Sequence, residues 1–215
     1  MVNMHRYIAI EGPIGVGKTS LAKLLANEFD AQTILESFEE NPFLSEFYAD
    51  RKRMAFQTQI FFLLSRYRQQ QELFQQDLFK KTTIIDYLFV RDRIFAYLNL
   101  DDNELTLYEQ IYSLLHERIP KPDLVIYLSA STDVLMERIR SRGREFEKAI
   151  TKDYLDELNQ AFNRFFFNYS ETPLLVINSS EIDFVRHPGD LKDLVKQIKS
   201  MKKGTLYYVP MASKK

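Results

Sequence analysis

No cysteine occurs in the 215 residues. That excludes disulfides, zinc–thiolate sites and thiol nucleophiles, and it fits a reducing compartment. Charge of neither sign dominates: 29 Lys and Arg stand against 30 Asp and Glu, a formal net charge of −1. The strong basic signal of a nucleic-acid or anionic-membrane binder is therefore missing. Apolar runs stop short of the roughly 18 residues that suggest a membrane helix, and no apolar leader core precedes the first strand. The expectation is a soluble, cytoplasmic protein with no nucleic-acid and no membrane partner. Repeats, low-complexity segments and linkers rich in Gly, Pro or Ser are also absent. With 45% hydrophobic residues the chain can bury a large core. The expected organisation is one domain over residues 1–203, followed by a tail, 204–215, of unassigned role. His5, His116 and His187 stand apart without a ligand pattern.

What is present begins at Gly12-Pro13-Ile14-Gly15-Val16-Gly17-Lys18-Thr19, a complete G-x-x-x-x-G-K-[ST] phosphate-loop pattern. Tyr7-Ile8-Ala9-Ile10 before it reads as a buried strand, and Leu21, Leu24, Leu25 and Phe29 behind it recur at helical spacing. Polyphosphate must be met by several backbone N–H groups at once, and side chains at Gly12, Gly15 and Gly17 would block that approach. The helix opening at the end of the loop adds free N–H groups and a partial positive charge. Lys18 can reach the β- and γ-phosphates, and the Thr19 hydroxyl can ligate Mg²⁺. Gly12 through Thr19, with Ser20 beside them, are the ATP-binding candidates.

Short apolar runs alternate with longer helical stretches. Strands are expected at Tyr7–Ile10, Thr33–Leu35, Thr83–Ile85, Leu124–Leu128 and Leu174–Ile177, which implies a three-layer α/β sandwich: a five-stranded parallel sheet with helices on both faces. The segment Gly204-Thr205-Leu206-Tyr207-Tyr208-Val209-Pro210 could add an edge strand. The aromatic run Phe165-Phe166-Phe167 with Tyr169 reads as core or as a subunit contact.

Ligands of an open parallel sheet bind beyond the carboxyl ends of its strands, so polar residues just after each strand matter most. Glu36 follows the second strand. It could take the proton of a hydroxyl attacking a γ-phosphate, or it could be a solvated strand-end residue. Asp86 ends the third strand, where an acid can meet Mg²⁺ or its waters. A long helix over residues 51–76 carries Gln57 and Arg66 near its apolar stripe. The Gln57 amide could read a nucleobase edge or be one helix glutamine among several. Arg91-Asp92-Arg93 is a charged helix start that solvent could equally explain. Further on, Arg138 and Arg142 share a helix face, which costs repulsion unless an anion lies nearby, and Gly143 lets the chain turn after them. An arginine lid over a transferring phosphate and a basic helix paired with glutamates both satisfy that pattern.

Taken together, Ile10-Glu11-Gly12 through Thr19, Glu36, Phe56-Gln57-Thr58, Asp86, Asp92-Arg93-Ile94-Phe95-Ala96, Pro122 through Leu128 and the arginine-glycine-arginine segment resemble deoxynucleoside kinases, in the same order. Glu39-Glu40-Asn41-Pro42-Phe43-Leu44 and Arg142-Gly143-Arg144-Glu145 are similar to segments of the bacterial deoxyguanosine and deoxyadenosine kinases. The resemblance spans residues 6 to 200. It implies ATP as phosphate donor, Mg²⁺ as cofactor, a purine deoxynucleoside as acceptor and a homodimer. It also implies Glu36 as base for the 5′-hydroxyl, Gln57 as the amide on the nucleobase, and Phe95 as the ring packed against that base. Tyr48 and Glu147 would hold the 3′-hydroxyl, Asp92 would face the base edge, and Arg138, Arg142 and Arg144 would form the lid.

Two positions depart from the pattern. Asp86-Tyr87-Leu88 stands where many relatives have an acidic-Arg-Ser triplet. The Asp86-Tyr87 pair is nonetheless similar to bacterial deoxyguanosine kinases, and it puts Tyr87 among the substrate-binding candidates. Arg91, Arg93 or a lid arginine could supply the missing guanidinium. Met54 stands where relatives often carry tryptophan. Two other classes remain in view: a nucleoside monophosphate kinase of the thymidylate type, which would need cations for an acceptor phosphate, and a phosphate-loop binding module without catalysis.

Overall fold

The computed structural model describes residues 5–75, 82–180, 182, 184 and 188–208. His187 and residues 209–215 of the tail lie outside the described residues. The central strand, β1 (Tyr7–Glu11), is buried along its whole length, as expected of a parallel strand covered on both faces. It is flanked by β3 (Thr83–Ile85) and β4 (Leu124–Ser129). The full order is β2-β3-β1-β4-β5-β6, with β2 at Gln32–Ile34, β5 at Leu174–Asn178 and β6 at Thr205–Tyr208, every pair parallel. The chain leaves β1 toward β2 and β3 on one side and reaches β4 to β6 on the other. A crevice therefore opens beyond its carboxyl end.

The five-stranded expectation is corrected to six. Residues 205–208 extend the sheet beside β5, with Leu206 opposite Leu175 and Tyr208 opposite Ile177. This edge strand alternates exposed and half-buried positions, so its apolar signal is weak, and the Tyr208 hydroxyl anchors it by donating to Asp193 Oδ2 at 2.7 Å.

Eight α-helices are described: α1 (Lys18–Phe29), α2 (Leu44–Ala49), α3 (Arg51–Gln75), α4 (Arg91–Asn99), α5 (Asp102–His116), α6 (Thr132–Arg142), α7 (Lys152–Phe167) and α8 (Pro188–Ser200), with short 3-10 turns at Phe38–Glu40 and Glu145–Ala149. On α7 the aromatic run divides. Phe166 is buried and stacks on Tyr127 with ring centroids 4.2 Å apart, Phe165 is half-buried, and Phe167 is exposed. Met54 belongs to the main core. A smaller core joins Leu63, Phe89, Ala96, Tyr108 and Tyr112, and His116 stacks on Phe89 and Tyr112 at its edge. His5 sits elsewhere, with Nε2 3.0 Å from the Met201 carbonyl oxygen. No helix among the described residues is long and apolar enough to cross a membrane.

Candidate active site

The phosphate loop is as tight as its glycines suggest. Gly12 has φ +153°, and a Cβ there would collide with the Leu128 carbonyl oxygen on β4. Gly17 caps α1 from the left-handed region. Lys18 folds over the loop, its Nζ donating to the carbonyl oxygens of Gly12 at 2.7 Å and Pro13 at 3.0 Å. Burial and then the nearby Arg91 push its ammonium down to about 7, against the opposing pull of Glu11, Glu36 and Asp86.

Asp86, at the end of β3, ties this loop to the segment carrying Glu36. Its Oδ2 accepts from Thr19 Oγ1 at 2.5 Å, and its Oδ1 accepts from the Glu36 backbone N–H at 2.8 Å. A hydroxyl and a carboxylate side by side at the head of a phosphate loop are hard oxygen ligands of the kind Mg²⁺ takes, so the residues present fit that ion.

Beyond Asp86 lies a cleft of about 780 Å³, counting its open mouth. Glu36 stands at its inner end. Arg66 donates to Glu36 Oε1 from Nε at 2.9 Å and also from Nη2, while Arg91 Nη1 lies 3.4 Å from Oε2. Burial alone would raise the Glu36 carboxyl, but Arg66 and then Arg91 outweigh it and hold it at about 2. Glu36 is thus an ionised acceptor at neutral pH. The other side of Arg66 reaches Asp92, with Nη1 2.5 Å from Oδ1. Burial pushes Asp92 upward with Arg66 opposing, and its second oxygen, Oδ2, is buried without a hydrogen-bond partner among the described residues.

The cleft brings together Lys18, Thr19, Glu36, Tyr48, Asp86, Asp92, Phe95, Arg142, Arg144 and Glu147. Phe95 supplies a ring edge-on to Phe162, with the Arg91 guanidinium 5.3 Å from its centroid. Tyr48 stacks on Phe146, and the Arg144 guanidinium lies 4.0 Å over Phe38. Glu147 is buried and paired with Arg142 through both oxygens.

Two expected assignments need correction. Gln57 is exposed on the far side of α3, and Gln59 is the buried amide lining the cleft, with Nε2 donating to the Asp92 carbonyl oxygen at 3.0 Å. Two residues along an α-helix turn the side chain by about 200°, so one amide faces in and the other out. Tyr87 does not line the cleft. It is buried behind Arg66, with its hydroxyl donating to Gln69 Oε1 at 2.9 Å. Arg138, with Arg142, lines a second groove on the other face of the phosphate loop. There its guanidinium donates to Val16 O, Ser179 Oγ and Ser179 O, beside Gly15, Gly17 and an exposed Ser20.

Residues outside the expected set complete the site. Arg66 and Gln59 follow Ala55 and Phe62 at helical spacing along one inward face of α3, a period that includes polar side chains and is missed when only apolar ones are counted. Of the three suggested guanidiniums, Arg91 enters the cleft, whereas Arg93 pairs with Glu109 at 2.9 Å elsewhere. Arg91 is anchored by Glu11, whose Oε1 lies 3.4 Å from Nη1 and also accepts from Gly12 N–H, while its Oε2 accepts from Leu88 N–H at 2.6 Å. A glutamate ending the apolar run Tyr7–Ile10 was the legible sign of that role.

A phosphate loop, an ionised carboxylate just past β2 and a segment bearing arginines surround a cleft of small-molecule size. Together they define a phosphotransferase of the phosphate-loop kinase class. The chain belongs to the deoxynucleoside kinase family, which it matches over residues 8–203. It is 37% identical over 205 residues to the deoxyguanosine kinase of Bacillus subtilis, covering 93% of this chain and 99% of that protein. It is 32% identical over 209 residues to the deoxyadenosine kinase of Lactobacillus acidophilus, covering 91% and 95%. Among solved structures, deoxyadenosine kinase from M. mycoides with bound dATP matches with a TM-score of 0.79 at 27% identity, over 91% of this chain and all of that one. The protein is therefore a kinase that uses ATP to phosphorylate deoxynucleosides.

Proposed function

We propose that the acceptor is a purine deoxynucleoside, deoxyguanosine or deoxyadenosine, phosphorylated on its 5′-hydroxyl to the monophosphate. The observation that carries this reading is the inner polar array of the cleft: Gln59, Arg66 and the unpaired Asp92 Oδ2 within one pocket whose side wall is Phe95. A buried acceptor without a partner favours a nucleobase edge that donates, through an exocyclic amine or a ring N–H. Relatives named for deoxyguanosine and deoxyadenosine support the same choice.

The sugar would then lie between Tyr48 and Glu147, with its 5′-hydroxyl toward Glu36. That carboxylate accepts the hydroxyl proton as the oxygen attacks the γ-phosphate in line. Lys18, Arg142 and Arg144 offset the charge that develops, and Arg66 with Arg91 keeps Glu36 ionised and in place. Thr19 and Asp86 would hold Mg²⁺, which supplies charge neutralisation between the β- and γ-phosphates when bound. Glu36, held at about 2 and so anionic, would repel a monophosphate acceptor beside it, which disfavours a nucleotide kinase. The proposal includes a homodimer, supported by the exposed Tyr97 and the groove between α4 and α7, and a cytoplasmic location.

The test is ADP formation from ATP with Mg²⁺ and each deoxynucleoside, ribonucleoside and deoxynucleoside monophosphate in turn. Stimulation by deoxyguanosine or deoxyadenosine supports the reading. Preference for a pyrimidine or for monophosphates contradicts it.

A further inference from the structure

Arg142 borders both grooves. It lines the acceptor cleft, and it also lines the second groove beside Gly15, Gly17 and Arg138 on the other face of the phosphate loop. In this structure its guanidinium is turned inward to Glu147, with Nε 3.1 Å from Oε2 and Nη2 2.6 Å from Oε1, and Arg144 Nη1 adds a contact 3.6 Å from Oε1. The two partners differ in freedom. The Glu147 side chain is 4% exposed and that of Arg142 35% exposed. Arg142 is also the last residue of α6, followed by Gly143 at φ +69° with open space around its Cα. The carboxylate is fixed, and the arginine is the part able to swing.

We infer that the Arg142–Glu147 pair couples the two ligands: polyphosphate on the loop draws Arg142 away from Glu147, and the freed carboxylate then takes the deoxyribose 3′-hydroxyl. This rests on the proposed placement of the sugar in the cleft. The physical basis is competition for one fork of donors. In the free protein three N–H groups of Arg142 and Arg144 crowd the Glu147 oxygens, leaving a hydroxyl little room. A triphosphate offers more charge and equally good bidentate geometry, so it outcompetes a single carboxylate. Once Arg142 has moved, Glu147 remains buried with open lone pairs and binds a hydroxyl donor more tightly than before. Linkage makes the effect reciprocal: each ligand raises the affinity of the other by the same factor.

Calorimetry would give the dissociation constants of deoxyguanosine and deoxyadenosine with and without a non-hydrolysable ATP analogue and Mg²⁺. The expected result is at least about fivefold tighter nucleoside binding with the analogue present. The ratio should fall to about one for 2′,3′-dideoxyguanosine, which lacks the hydroxyl. It should also fall to about one in Arg142→Met, where Arg144 still faces Glu147 and folding is checked by thermal melting. Arg142→Lys keeps the charge but loses the fork, and should give an intermediate ratio. A ratio of one in the unaltered enzyme, an undiminished ratio in Arg142→Met, or equal coupling with the dideoxynucleoside would each overturn the inference. Phosphorylation of deoxynucleosides with a ratio of one would overturn the coupling alone. Absence of any phosphorylation would overturn the proposed function and the coupling with it.

Discussion

Arg66 places two donors, Nε and Nη2, on a single oxygen of Glu36, Oε1. The second oxygen faces Arg91 across 3.4 Å, beyond a good hydrogen bond. Glu36 is thus clamped on one side and open on the other. The clamped side keeps it ionised, and the open oxygen is the one suited to take a proton.

Replacing that carboxylate separates binding from chemistry. Glu36→Gln should lower kcat by about two to four orders of magnitude while the KM for deoxynucleoside changes little. Because the folded value of about 2 lies below the ordinary 4.5, Glu36 stays charged well into acid, and any acidic limb of kcat/KM above pH 4.5 should persist in the variant. The same group stabilises the fold above pH 4.5 and loses that contribution as pH falls toward 2. Steady-state kinetics across pH check both points, and near-normal turnover in Glu36→Gln would remove it as the base.

The anchoring of Arg91 by Glu11 leads to a paired test. Arg91→Met strands a fully buried Glu11, and losing one partner of a buried ion pair costs about 3–5 kcal/mol. Adding Glu11→Gln should recover much of the melting temperature without restoring turnover. Recovery of both would mean that Arg91 serves packing alone.

Gln57 and Gln59 are two residues apart and should behave oppositely. Gln57→Ala, on an exposed face, should change stability and KM by no more than about 0.5 kcal/mol equivalent. Gln59→Ala removes a buried donor to Asp92 and should cost about 1–3 kcal/mol and raise the KM for deoxynucleoside. Kinetics and thermal melts of the two variants give the comparison, and equal behaviour would contradict the orientation of α3.

Where the physics is local, the sequence spoke clearly. Gly12, Gly15 and Gly17 are required by the loop itself, and β1, β3, β4 and β5 announce themselves as apolar runs. The polar interior was harder to read. Gln59, Arg66, Arg91 and Glu11 are buried because they satisfy one another across 30 to 80 residues of chain, and no window of periodicity reports such pairing. Resemblance supplied roles for Glu36, Asp92 and Glu147, and the structure gathers those three in one cleft. It misdirected at Gln57 by two positions, where only the turn of the helix decides. Residues 205–208 were suggested only as an edge strand because half of that strand faces solvent.

Lys18 should report donor binding through its proton. In the free protein burial and then the nearby Arg91 lower its ammonium from an ordinary 10.5 to about 7, and phosphate would raise it again. ATP binding at pH 8 should therefore take up protons, visible in calorimetry across buffers of different ionisation heat. Between pH 7 and 10.5 the unfolded chain binds the extra proton, so this group makes stability of the free protein rise with pH. Lys18→Ala should abolish both the uptake and the phosphoryl transfer. A full proton taken up by that variant would assign the effect elsewhere.

The most direct measurement is the fate of a labelled γ-phosphate. ATP carrying the label, Mg²⁺ and an equal mixture of deoxyguanosine and deoxyadenosine would be incubated with the purified chain, and the products separated and identified against authentic 5′- and 3′-monophosphates. The expected product carries the label on the 5′-oxygen of a purine deoxynucleoside monophosphate, and Glu36→Gln forms about two to four orders of magnitude less of it over the same time. Label appearing only as inorganic phosphate, or only on deoxynucleoside monophosphates supplied in a parallel reaction, would contradict the assignment.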